Sequence, residues 1–247
     1  MSERVQGQNF THGIANDLGS AIVTGLYPAD HPMPIEAELC VKYDASRTVL
    51  REAVKMLTAK GLLTSRPRRG TWVQPEAKWN LLDPDVLGWL MERKFSPALL
   101  IEFTEIRLAI EPGAAALAAR VVDAEGKAAI RAAITRMQAA DHGDDDPLES
   151  DIAFHVAVLR ATRNRFYSQL TGLTSTALRF SIQTTNRYKG VTQASVPAHR
   201  KVSDAIIAGK PVVAADAMRK IIQEALDLIC KREALHAARR QAGASGS

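Results

Sequence analysis

Nothing in this chain approaches the roughly 20 consecutive apolar residues that a membrane-crossing helix needs, and its opening, MSERVQGQNF, lacks the apolar stretch of a secretory signal. A cytoplasmic protein with no membrane partner is expected. Cysteine is scarce as well: Cys40 and Cys230 lie far apart, without CxxC spacing, which excludes a disulfide framework and a cysteine-based zinc site. Each falls within an apolar helical pattern, so both are expected to be plain core residues. Internal repeats are missing too, and the strand signal vanishes beyond residue 97.

What is present is ordinary in bulk and uneven in detail. With 247 residues, 46% of them hydrophobic and 24% charged, the chain can build two domains with separate cores. The net charge of +5 says little by itself. Its distribution says more, because Lys42 to Trp72 holds eight basic residues against Asp44 and Glu52, a net +6 that exceeds the whole chain's. A face that attracts phosphates is therefore localised there.

Local patterns divide the chain. Ile14, Leu18, Ala21 and Ile22 mark a helix over residues 11 to 24, ended by the proline-rich stretch up to Pro34. A second helix is predicted from Ile35 to Tyr43, a turn at Asp44 and Ala45, and a third helix capped by Ser46 and stopped at Gly61. Leu62 to Ser65 and Thr71 to Gln74 read as strands flanking RPRRG. This order predicts a winged helix-turn-helix of three helices plus a two-stranded wing, over residues 1 to 76. Residues 77 to 95 read as a connector with one short helix, capped by Asp83 with Pro84 at its first position. An all-α bundle of about six helices, deep enough for a small molecule, is predicted over 96 to 238, with a flexible tail at 239 to 247. The fold class is thus mainly α.

The third helix carries its apolar stripe on Val49, Leu50, Ala53, Val54 and Leu57. Ser46, Arg47, Thr48 and Arg51 lie off it near the helix start, the end that meets base edges in such modules. Arg47 and Arg51, four apart, project to one side and suit a guanine edge or a phosphate. Arg66, Arg68, Arg69 and Gly70 form a basic wing whose glycine permits close approach to a sugar-phosphate backbone. In the bundle, Asp151 and His155 stand four apart on one helical face and His199 lies on a later helix. Such a set can bind a divalent metal, hydrogen-bond internally, or act as acid and base. Arg107 either receives a carboxylate or pairs with Glu111 on its own helix.

The N-terminal pieces resemble the GntR superfamily of bacterial transcription regulators. They are Pro34, Glu36, Glu38 and Leu39; Ser46, Arg47, Arg51, Glu52 and Ala53; Gly61 and Leu62; and Gly70, Thr71 and Val73. Ala37 stands where many members carry a DNA-contacting arginine. The helical half is similar to the FCD ligand-sensing domain of the FadR subgroup, through Glu105, Arg107 and Glu111, then Asp151, Phe154, His155 and Asn164, then His199. That resemblance implies a divalent metal, often zinc, on Asp151, His155 and His199, and an organic-acid effector held by Arg107, Asp151, His155 and His199. Ile221 stands where the family usually has a third histidine. The connector WNLLDPDVLGWL resembles that of sugar-acid-responsive members, D-galactonate regulators among them, which can lack that histidine too. The resemblance thus implies a homodimeric repressor of a sugar-acid or other organic-acid catabolic operon, binding a short operator palindrome. Two alternatives stay open: a metal-dependent hydrolase using Asp151, His155 and His199, and a constitutive DNA-binding protein whose bundle only dimerises.

Overall fold

A computed structural model describes residues 2–93, 97–189 and 195–244, which divide into two compact units, 1–95 and 96–247. In the first unit come α1 (Ser2–Val23), α2 (Glu36–Tyr43), α3 (Arg47–Ala59), β1 (Leu63–Arg66), β2 (Gly70–Val73) and α4 (Pro84–Glu92), with a single 3-10 turn at Glu76–Lys78. The second holds α5 (Pro97–Val121), α6 (Ala124–His142), α7 (Pro147–Ala161), α8 (Arg165–Gln169), α9 (Thr171–Lys189), α10 (Val196–Ile207) and α11 (Pro211–Ala244). The molecule is mainly helical, with a winged helix-turn-helix followed by a helical bundle. No described helix is long and apolar enough to cross a membrane.

Each element of the first unit has a local cause. The Glu38 carboxylate accepts the Ile35 N–H at 3.2 Å where α2 begins, and Asp44 closes α2 in the left-handed region at φ 45°. Ser46 accepts the Val49 N–H, which starts α3. Leu50, Ala53 and Leu57 of the α3 stripe are buried, with Val49 and Val54 at its half-buried margins. β1 and β2 pair antiparallel from Leu63↔Val73 to Arg66↔Gly70. The loop before α2 adds a third edge to this hairpin, since Met33 N–H donates to the Thr71 carbonyl at 2.8 Å and Val73 N–H to that of His31 at 3.0 Å.

The connector folds with the first unit. Trp89 of α4 lies against Gly19 of α1 and donates its indole N–H to the Asn16 side-chain oxygen at 2.8 Å. Asp83 caps α4 and, with Asp85, meets Lys60 Nζ at 2.8 Å. Burial works against the Lys60 charge, yet these two carboxylates outweigh it and raise the pKa. Gly61 makes the close approach possible: it sits at φ 80°, and a Cβ there would stand 2.2 Å from the Lys78 carbonyl oxygen. Gly61→Ala is therefore expected to cost the first unit about 3 kcal/mol or more, read as a drop in its melting temperature. A wild-type melt would remove this role for Gly61.

In the second unit the predicted helix from Arg165 to Tyr188 is broken at Leu170 into α8 and α9. Thr171 Oγ1 bonds back to the Ser168 carbonyl at 2.9 Å at this break, and the described residues hold seven helices in this unit. The expected tail is helical as far as Ala244; 245–247 lie outside the described residues. Cys230 is exposed and Cys40 half-buried, contrary to the expectation of core positions: on α11 it is Ile229 that turns inward. The bundle core gathers Ala115, Ala118, Ile130, Met137, Phe154, Val158, Val202 and Met218 from five helices.

Candidate functional site

In the first unit α3 and the wing carry the residues singled out in the sequence. Arg47, Thr48 and Arg51 are exposed near the α3 start, and Ser46 is occupied in capping. Glu36 of α2 stands between the two arginines, its Oε2 2.9 Å from Arg51 Nε and its Oε1 3.8 Å from Arg47 Nε. A guanidinium has five N–H donors, so one bond through Nε orients the fork and leaves most of it available. Glu36 was legible as part of a motif but not as the acid that aims these arginines. Ala37 is exposed and offers only a methyl group.

The wing turns at Pro67, Arg68 and Arg69, with Arg69 N–H bonded to the Arg66 carbonyl at 3.0 Å. Arg68 takes the left-handed conformation at φ 59° and Gly70 at φ 78°. For a residue with a Cβ that costs about 1 kcal/mol, and such strain gathers at functional positions. Arg68 and Arg69 are exposed. Arg66 is different: its guanidinium lies 4.1 Å from the Trp72 ring centre and 3.7 Å from Asp30.

In the second unit, Asp151 and His155 share a face of α7, and His199 of α10 reaches the same point. All three are at least 97% buried. His199 Nε2 is 3.0 Å from Asp151 Oδ1, His155 Nε2 is 3.5 Å from that oxygen, and the two Nε2 atoms are 3.3 Å apart. Phe154 packs edge-on against both imidazoles, with ring centres 5.6 and 5.1 Å away, and fixes their planes. The far nitrogens are held as well: His155 Nδ1 is 2.5 Å from Glu111 Oε2, and His199 Nδ1 is 2.9 Å from the Ser195 carbonyl.

Those outer partners decide the chemistry. A carbonyl and an ionised carboxylate only accept, so each Nδ1 carries the hydrogen and each neutral ring turns its Nε2 lone pair to the shared point. Asp151 Oδ1 also faces that point, buried and without an aligned hydrogen bond. Two lone pairs and a carboxylate oxygen converging in a dry interior require positive charge between them, a proton or a cation. Burial opposes a charged His155, yet Glu111 and Asp151 outweigh it and raise its pKa to about 9. Burial likewise opposes ionised Glu111, but Arg107 and His155 pull it down to about 2, and the two histidines hold Asp151 well below the usual carboxylate range. The three ligand atoms lie within 4.8 Å of one another, and this donor set fits a divalent ion such as zinc. Ile221 packs against the core and supplies no fourth ligand.

Arg107 belongs to this assembly through Glu111. Its Nε donates to Glu111 Oε1 at 2.6 Å, and its side chain is only 5% exposed. The pair with Glu111 that spacing alone allowed is thus present, but buried and joined to His155 rather than solvated. The 44-residue separation of Glu111 and His155 hid that link.

Residues 10–73 match the family of bacterial regulatory proteins, gntR family, and residues 102–224 match the FCD domain. The galactonate operon transcriptional repressor of Escherichia coli is 38% identical over 162 residues, covering 66% of this chain and 71% of that protein. The uncharacterized HTH-type transcriptional regulator YieP of Escherichia coli is 34% identical, covering 81% of this chain and 86% of its own. Among solved structures, Lar, which controls expression of the Listeria monocytogenes agr system, shares the fold at a TM-score of 0.57 and 15% identity, covering 90% of this chain and 96% of that one.

Proposed function

The chain belongs to the GntR family of bacterial transcription regulators, in the FadR subgroup with a C-terminal FCD domain, and from that premise we propose that it represses a sugar-acid or other organic-acid catabolic operon. It is a DNA-binding regulator and not an enzyme, which removes the hydrolase alternative. Arg47, Thr48 and Arg51 read the operator from a helix start capped by Ser46, and Arg68, Arg69 and Gly70 meet its backbone while Arg66 is held against Trp72. A homodimer presents two such units to a short palindrome, because one short helix reads too few bases.

The effector is a small hydroxycarboxylate received beside Arg107, Asp151, His155 and His199. The observation that carries this reading is the convergence of two imidazole lone pairs on the unbonded, buried Asp151 Oδ1. Asp151, His155 and His199 would hold a divalent metal, which would supply Lewis acidity toward an effector's oxygens. Glu111 and Ser195 fix the imidazole tautomers, and Arg107 keeps Glu111 ionised. Effector binding shifts an equilibrium between states of high and low operator affinity. The galactonate repressor among the relatives favours a sugar acid.

Metal analysis and thermal shift test this reading. The purified chain is expected to hold about one divalent ion per protomer, in keeping with a three-ligand site. A chelator should lower the melting temperature of the helical unit, and zinc should restore it in wild type but not in Asp151→Asn. If chelator and zinc leave the melt unchanged, the metal has no place in the account.

A further inference from the structure

We infer that Trp72 is a positioning residue that sets the direction of the wing, an inference that rests on the DNA-binding role given to Arg68 and Arg69. In the register of the hairpin Trp72 faces Thr64 and Arg66 faces Gly70. Trp72 and Arg66 are therefore diagonal neighbours on one face, within reach of each other for side chains of this size. The guanidinium of Arg66 lies over the indole, 4.1 Å from its ring centre, and Asp30 meets it from the preceding loop at 3.7 Å. Arg66 is thus engaged within the protein on both sides.

The same indole reaches the turn. Trp72 Nε1–H donates to the Arg69 carbonyl at 2.9 Å, so one rigid ring ties the strand to the apex. The apex needs such a tie. Arg68 holds a left-handed backbone at φ 59° that a residue with a Cβ leaves readily unless its surroundings enforce it. Along the backbone, Pro32 forms a β-bridge with Trp72 and the Met33 N–H bonds to the Thr71 carbonyl at 2.8 Å, which anchors the strand to the loop before α2. Arg68 and Arg69 are left exposed at the tip. Trp72 and Arg66 act as the brace and Arg68 and Arg69 as the charges it presents.

The test uses the full chain and a duplex that the wild-type chain enriches from a randomised pool. Trp72→Ala is expected to weaken binding about tenfold and to flatten the dependence of log affinity on log salt by about one to two, since each lost phosphate contact removes about 0.9 from the slope. Trp72→Phe keeps a smaller aromatic face for Arg66 and lacks the N–H, so it should fall between the two in both readouts and guards against an unfolded alanine variant. Wild-type affinity and slope in Trp72→Ala overturn the positioning role and leave the DNA-binding reading standing. So does weaker binding with an unchanged slope, because DNA would then sense the ring rather than the arginines. If the wild-type chain enriches no duplex, both readings fall together.

Discussion

Replacing Arg47 with alanine is expected to abolish sequence-specific operator binding while the helical unit keeps its melting temperature and its effector binding. Arg47 is exposed at the start of α3, where such helices approach base edges, and contributes nothing to either core. One bidentate arginine contact to a base is worth about 1–3 kcal/mol, and a dimer on a palindrome loses it twice, for a combined fall of about 30-fold to 10⁴-fold. Glu36 adds a further consequence. With Arg47 gone its carboxylate retains Arg51, 2.9 Å away, so non-specific, salt-sensitive binding should survive. Titration of labelled operator and scrambled duplexes separates the two; retained preference for the operator would remove Arg47 from the reading face.

Arg107→Ala is expected to act on the other unit, lowering its stability by about 3–5 kcal/mol and eliminating the sugar-acid response, with operator binding intact. The cost arises because Glu111 is buried and bonded to Arg107 at 2.6 Å, so loss of the guanidinium leaves its carboxylate with His155 alone. A solvated helix-face pair would have cost almost nothing. Glu111→Gln distinguishes position from charge: it retains a side chain of similar shape, weakens the hold on His155 Nδ1, and should lower metal affinity by about 10- to 100-fold. Calorimetry of each variant with and without zinc reads both effects. A wild-type melt and full effector response in Arg107→Ala would place the carboxylate site elsewhere.

Most of the reading unit was legible because its signals are local. Ser46 as cap, Asp44 as turn and Gly61 as stop each act within a few residues of where they stand in the chain. Asp151 and His155 were legible for the same reason, four apart on a helix. What escaped was set by distance or by packing. Glu111 meets His155 across two helices, and Trp72 meets Arg66 across two strands, neither of which spacing along the chain reveals. The break at Leu170 between α8 and α9 leaves the apolar pattern undisturbed, so spacing along the chain did not show it. The short helix of the connector was legible from Asp83 and Pro84, but not that Trp89 against Gly19 and Asp83 against Lys60 make it part of the first unit.

The proposed reading is a charge-balanced buried site whose occupancy is read out at a wing and a helix. The measurement that tests this most directly is operator affinity of the zinc-loaded chain, followed by anisotropy of a labelled duplex, while D-galactonate and a panel of other hydroxycarboxylates are titrated. At least one sugar acid is expected to lower affinity by about 5- to 150-fold in wild type and to leave Asp151→Asn unmoved. Unchanged affinity across the whole panel, in protein that binds its operator and holds its metal, would contradict the account.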